Sequence, residues 1–241
     1  MCDFIYNYLS FNVFMQPNIS SIKSYYDELA PQYDENRFAN SYGQYLHFQE
    51  QKILEEYLPQ PIAPPTLSLA CGTGRLMEFA SIGADISPEM LKIARRKFPE
   101  KEFLLTEESA LPLAENSLQN AFSWHFFMHL DKEEVKKMAE KVYICLQKGG
   151  LFIFDVPSAH RKRLLSRKSS GWHGANAYFL SEIESLAGEK WEMRAMHGIL
   201  FFPIHRFPPF LRPYLLTLDN WLCRSFLKKY ASYLTIVLCK L

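Results

Sequence analysis

Cysteine clusters, phosphate-loop signatures and membrane-length apolar runs are all missing from this 241-residue chain. Its five cysteines (Cys2, Cys71, Cys145, Cys223 and Cys239) form no Cys-x-x-Cys pair and no group with histidine. That spacing argues against structural zinc or a disulfide framework and fits a reducing, cytoplasmic setting. Residues 4–15 are apolar but lack a basic leader and a small-residue cleavage site. They are too short to span a bilayer, so a packed or frayed N-terminal segment is expected rather than a signal. No internal repeat or low-complexity block interrupts the chain. No Gly-Lys-Ser/Thr follows its glycine loop, which excludes a P-loop. A large net charge is absent too, at +1, but the balance is uneven. Residues 161–241 hold 13 Lys+Arg against 5 Asp+Glu. Such a segment suits either an anionic partner or a solvated basic surface.

What is present is a chain that is 48% hydrophobic and long enough for one packed α/β core. Residues 21–35 and 44–58 read as helices, the second from Tyr45, Leu46, Ile53, Leu54 and Leu58 at helical spacing. Pro59, Pro61, Pro64 and Pro65 then break the chain. Thr66-Leu67-Ser68-Leu69 is a short buried strand running into the turn Ala70-Cys71-Gly72-Thr73-Gly74. Gly72 and Gly74 let the backbone approach a ligand. The dinucleotide fingerprint fails, because Met77 stands where its third glycine belongs. Only ten residues separate Gly74 from Asp85, too few for an ordinary crossover. The first helix is therefore expected to be about one turn, Leu76 to Phe79, before a strand at 81–86. Asp85 closes that strand, placed to accept hydrogen bonds from two ribose hydroxyls. Ser87 and Pro88 start the next helix as cap and first residue. Asp131 caps another through about Leu146, with Gly149-Gly150 expected to end it. Leu151 to Val156 reads as a buried strand. A basic loop (157–175), a helix (180–188), a strand (191–200), a proline-rich stretch (203–213), a helix (214–229) and a last strand (232–239) follow. This alternation implies a doubly wound sheet.

Leu-Ser-Leu-Ala-Cys-Gly-Thr-Gly-Arg (67–75) with Gly-Ala-Asp-Ile-Ser-Pro-Glu-Met-Leu (83–91) resembles class I S-adenosylmethionine-dependent methyltransferases of the menaquinone/ubiquinone-methyltransferase-like type. Residues 103–112, 114–130 and 146–150 resemble the family's later motifs in order. The resemblance runs from about Tyr25 to Val156. It implies an α/β fold with a Rossmann-like, doubly wound, mostly parallel seven-stranded sheet and an antiparallel last strand. Residues 1–60 are expected to form a helical lid segment and 61–241 the methyltransferase domain. The implied cofactor is S-adenosyl-L-methionine, leaving S-adenosyl-L-homocysteine as product. Ala70, Cys71, Gly72, Thr73 and Gly74 would line its methionyl and ribose part, and Asp85 would hold the ribose. Ile86 and Met90 would lie against adenine, or simply pack in the core. Glu107 or Glu108 would meet the adenine amino edge. Ser123 and Trp124 would lie near the methionine moiety. Tyr26 and Tyr33 match the family's lid, where an aromatic face attracts a sulfonium or merely docks the helix.

His125, after the fourth strand, is the candidate general base or an orienting residue. Tyr33, His129 and His205 are candidates for the substrate pocket. The acceptor is expected to be a small molecule, apolar or aromatic. Two departures stand out: Ser68 and Gln119 occupy positions where the family usually has acids. They motivate a rival reading, a binding protein of the same fold that no longer transfers methyl. Arg161, Lys162, Arg163, Arg167 and Lys168 motivate a third, an RNA methyltransferase. Against it, no Asn/Asp-Pro-Pro-Tyr/Phe signature stands at Ser123-Trp124-His125-Phe126.

Overall fold

A computed structural model describes residues 19–58, 65–106, 111–165 and 176–241. Glu107, Glu108, Arg167, Lys168 and the apolar residues 4–15 lie outside them. Seven strands form one sheet in the order β3-β2-β1-β4-β5-β7-β6. They are β1 (Thr66–Leu69), β2 (Ile82–Asp85), β3 (Glu102–Leu105), β4 (Leu118–Ser123), β5 (Leu146–Pro157), β6 (Trp191–Ile199) and β7 (Tyr233–Lys240). The first five run parallel, and β7 lies antiparallel between β5 and β6. This is the doubly wound, mostly parallel sheet that the alternation of elements predicts. The N-terminal helices are α1 (Ile19–Leu29), α2 (Tyr33–Arg37) and α3 (Ser41–Tyr57). Later come α4 (Pro88–Lys97), α5 (Lys132–Cys145), α6 (Ala159–Leu164), α7 (Leu180–Ala187) and α8 (Arg212–Arg224).

Both sheet faces are covered, so alternate strand residues enter opposite cores. Phe152 and Phe154 pack with Val135, Met138 and Val142 of α5. Ile153, between them, faces the other way with Leu46, Ile53 and Leu54 of α3 and Leu91 of α4. Asp155 shares the parity of Ile153 and is 1% exposed. That parity sends a carboxylate toward α3, with consequences for the site.

Local chemistry sets most boundaries. Asp131 accepts from the Glu134 backbone N–H at 2.8 Å, while Glu134 accepts from that of Asp131 at 2.7 Å, closing a reciprocal cap on α5. Ser87 Oγ accepts from Met90 N–H at 3.1 Å and caps α4 behind Pro88. The short crossover after Gly74 contains one 3-10 turn, Met77–Phe79, as ten residues require. The expected helix over 21–35 is divided at Ala30–Gln32 into α1 and α2, because Pro31 has no N–H to continue the ladder. The Gly149-Gly150 stop is a correction. Helix α5 ends at Cys145, and β5 begins at Leu146 with the glycines inside it. They fall where the β4–β5 register shifts between Leu118 and Asn120, so they serve an irregular strand pair instead of a helix end.

Candidate active site beneath the N-terminal helices

Strand β1 ends at Leu69, and the chain then enters the left-handed region at Ala70 (φ 54°), Gly72 (φ 55°) and Gly74 (φ 85°). The two glycines have different reasons to be glycine. A Cβ on Gly72 would meet nothing nearer than Tyr33 Cε1 at 4.0 Å, because that side faces open space. A Cβ on Gly74 would lie 3.2 Å from Ala94 Cβ and 3.3 Å from Met77 Cγ and Phe98 Cδ2. Gly74 therefore closes the loop against α4. Gly74→Ala is expected to cost about 1–3 kcal/mol of stability through positive φ and crowding. An unchanged urea midpoint would contradict that.

Asp85 draws the loop together. Its carboxylate accepts from Gly72 N–H at 2.7 Å and from Ser87 N–H at 2.9 Å, one bond to each oxygen. Burial raises its pKa, opposed by backbone N–H groups of Ser87, Gly72 and Ile86. Two carboxylate oxygens offer about four lone-pair sites, so the group is held in place and still able to accept.

A cavity of about 130 Å³ opens against this carboxylate. Its polar end is Ala70, Gly72 and Asp85, with Ile86, Met90 and Thr106 beside them. Its roof is Ile22 and Tyr26 of α1 and Tyr33 of α2. The lining also includes apolar Leu111, Phe126, Leu130 and Met138, and Trp124, His125 and His129. Trp124 is 8% exposed, and its indole N–H finds no hydrogen-bond partner among the described residues. An N–H so placed suits a ligand acceptor. An acid with spare lone pairs, a glycine cradle and this N–H fit a nucleoside bearing a polar tail.

Side-chain bonds among the described residues fasten the roof, including an ion pair from Lys97 of α4 to Asp34. Ser87 Oγ–H donates to Asp27 at 2.5 Å, and Thr73 Oγ1–H donates to Asp34 at 2.6 Å. Tyr26 Oη lies 3.0 Å from His129 Nε2, and the Tyr26 and Tyr33 rings meet edge-on at 6.2 Å. Burial raises the pKa of both tyrosines, so they stay neutral.

The candidate residues thus separate. Tyr26, Tyr33, Ala70, Gly72, Asp85, Ile86, Met90, Trp124, His125 and His129 line the cavity. Thr73 turns to Asp34, and Gly74 faces Ala94, Met77 and Phe98. Cys71 turns toward Gly83, where an added Cβ would lie 2.9 Å from its Sγ, and burial pushes its thiol pKa up. Ser123 Oγ–H donates to Leu69 O at 2.9 Å and ties β4 to β1. His205 is not among the residues that line the cavity: it is exposed in the 3-10 turn Ile204–Arg206, its ring 6.2 Å from Tyr42.

His125 sits in a charged network that sequence reasoning missed. Its Nε2 is 2.7 Å from Glu50 Oε1, and its Nδ1 is 3.2 Å from Asp155 Oδ2. Its backbone N–H donates to Asp155 Oδ1 at 2.6 Å, which holds the residue at φ 58°. Glu50 also pairs with Arg75, whose guanidinium lies over Phe38 at 4.1 Å and reaches His47 Nδ1 at 2.9 Å. Burial disfavours charge on the imidazole, yet Asp155 and Glu50 hold its pKa up at about 10. Burial likewise opposes ionised Glu50, yet Arg75 and His125 hold it down at about 2. Two acids and two bases thus balance inside the protein. An imidazolium has no lone pair with which to take a proton. The signals were there to read: Glu50 falls on the apolar stripe of Leu46, Ile53 and Leu54, and Asp155 breaks an apolar strand.

Comparison with known proteins agrees with this geometry. Residues 67–154 match the family model described as methyltransferase domain. The demethylmenaquinone methyltransferase of Chlorobaculum tepidum is 37% identical over 157 residues, 61% of this chain and 64% of that protein. An uncharacterized protein of Methanocaldococcus jannaschii is 32% identical over 141 residues, 58% of this chain and 53% of that one. The chain thus spans between half and two thirds of the length of these relatives. Among solved structures, a Thermotoga maritima S-adenosylmethionine-dependent methyltransferase, described as a possible histamine N-methyltransferase, superposes with a TM-score of 0.65. The two share 18% identity, covering 91% of this chain and all of that one, a likeness of fold. In strand order, glycine loop and this match, residues 67–154 of the chain are similar to a methyltransferase domain.

Proposed function

We propose that this protein binds S-adenosylmethionine and transfers its methyl group to an O, N or C atom of a small apolar or aromatic molecule, in the cytoplasm. The observation that carries the reading is one cavity lined both by Gly72 and Asp85 and by the apolar side chains of Leu111, Phe126, Leu130 and Met138. When bound, the cofactor supplies an electrophilic methyl on a sulfonium. Asp85 would accept the ribose hydroxyls, and Gly72 would give the backbone room. Ile86 and Met90 would flank the adenine. The lid of the reading is α1 and α2, latched by Asp27, Asp34 and Tyr26, which excludes water. Helix α3 belongs to the core beneath it. Among the described residues no helix is long and apolar enough to cross a membrane.

His125 is proposed as a positioning residue and not as the base. Its charge is spent on Glu50 and Asp155, so it fixes the loop after β4. Methyl transfer then rests on approach and exclusion of water, which can supply most of the acceleration. The test is release of S-adenosylhomocysteine with a panel of phenols, quinols and amines. Acceptor-dependent release is expected. Cofactor binding without release across the panel would favour the second reading, a non-transferring binder, which Ser68 and Gln119 motivate.

A further inference from the structure

Helix α8 buries one face and leaves the other bare. Asp219 is fully buried, accepting from the Gln49 side-chain amide and from Phe202 N–H, each at 2.7 Å, and Cys223 is 3% exposed. Helical spacing places Tyr214, Leu218 and Trp221 on the opposite side, within about 60° of one another. They are exposed, Tyr214 at 81% and Trp221 at 64%. Phe210 and Leu211 in the 3-10 turn Pro209–Leu211 before the helix, and Phe226 in the turn after it, are also exposed, Phe226 at 83%. Large apolar side chains gathered on one outer face mark an interaction surface, where single ones would not. None of the six lines the cavity.

Charge indicates what meets this face. Between residues 201 and 230 the basic residues are Arg206, Arg212, Arg224, Lys228 and Lys229, and the one acid is the buried Asp219. Arg224 is paired with Glu56 of α3. Arg212 donates to neutral oxygens of Ser41 and Phe207, which leaves its charge uncompensated by them. A second copy docking through this face would bring the same basic residues together with no exposed acid from the segment to meet them. Residues 1–18 carry one charge, Asp3, too little to balance it. Tyr and Trp side chains at a lipid–water boundary, flanked by cations near acidic headgroups, satisfy both features.

We propose that α8 and its two flanking turns are a docking face that lies on an anionic lipid bilayer without crossing it. The full chain should co-sediment with vesicles of phosphatidylcholine containing about 30% phosphatidylserine, and about tenfold less with phosphatidylcholine alone. Raising salt should reverse the binding. The triple variant Tyr214→Ser, Trp221→Ser, Phe226→Ser should lose about tenfold in vesicle affinity while keeping wild-type cofactor affinity and melting temperature, since all three side chains are outside the core. No sedimentation with either vesicle would overturn the proposal. So would equal binding to neutral and anionic vesicles, or self-association that the triple variant abolishes in the absence of vesicle binding.

Discussion

His125→Ala is expected to lower the free energy of unfolding by about 3–5 kcal/mol. The removed imidazolium is the partner of Asp155 and one of two partners of Glu50, and both carboxylates are at most 1% exposed. Deleting it leaves two buried acids facing one guanidinium, an uncompensated charge that the interior solvates poorly. Denaturant unfolding read by circular dichroism measures the loss. A change below about 1 kcal/mol would show that the four groups do not act as one unit. The same network fixes a pH dependence. The imidazole pKa rises from 6.5 to about 10 on folding. Its contribution is therefore fully present below about pH 6.5 and is lost as pH rises through 10. Glu50 falls from 4.5 to about 2, so its contribution is present above pH 4.5 and is lost as pH falls through 2. Stability from this network should peak between those limits, near pH 4.5–6.5. The alkaline decline should be weaker in His125→Gln, which has no proton to lose.

Asp85→Ala is expected to weaken S-adenosylhomocysteine binding by roughly 10- to 100-fold, or about 1.4–2.8 kcal/mol. Two effects combine. The variant removes the acceptor offered to the ribose, and it releases Gly72 N–H and Ser87 N–H, which the carboxylate now holds at 2.7 and 2.9 Å. Asp85→Asn separates them. Its amide keeps one acceptor oxygen but sets an NH₂ against one of the two backbone donors. It should fall between alanine and wild type in affinity. Equal affinity in all three proteins would remove Asp85 from the site.

Most of the scaffold could be read from the chain, because its signals are local. The caps at Ser87 and Asp131 and the ten-residue crossover act within a few residues of themselves, whereas the division at Pro31 falls inside a helix expected to run unbroken over 21–35. Gly149-Gly150 misled because a glycine pair ends helices and also relaxes strands, and the deciding partner, β4, is distant in sequence. The cavity was legible in part. Tyr26, Gly72, Asp85 and Trp124 all line it, although the residues around the glycine loop gave no hint that Thr73 would turn to Asp34. The role of His125 was not legible. It depends on Glu50, 75 residues earlier, and Asp155, 30 residues later, converging across two elements. A lone acid on an apolar stripe says that a partner exists without saying which.

The central claim, that the cavity under α1 and α2 is a nucleoside–sulfonium site, is tested most directly by isothermal titration calorimetry with S-adenosylhomocysteine on the wild-type chain. The account predicts saturable one-to-one binding that weakens in Asp85→Ala. No heat and no saturation at millimolar ligand, in a protein that melts cooperatively, would contradict it.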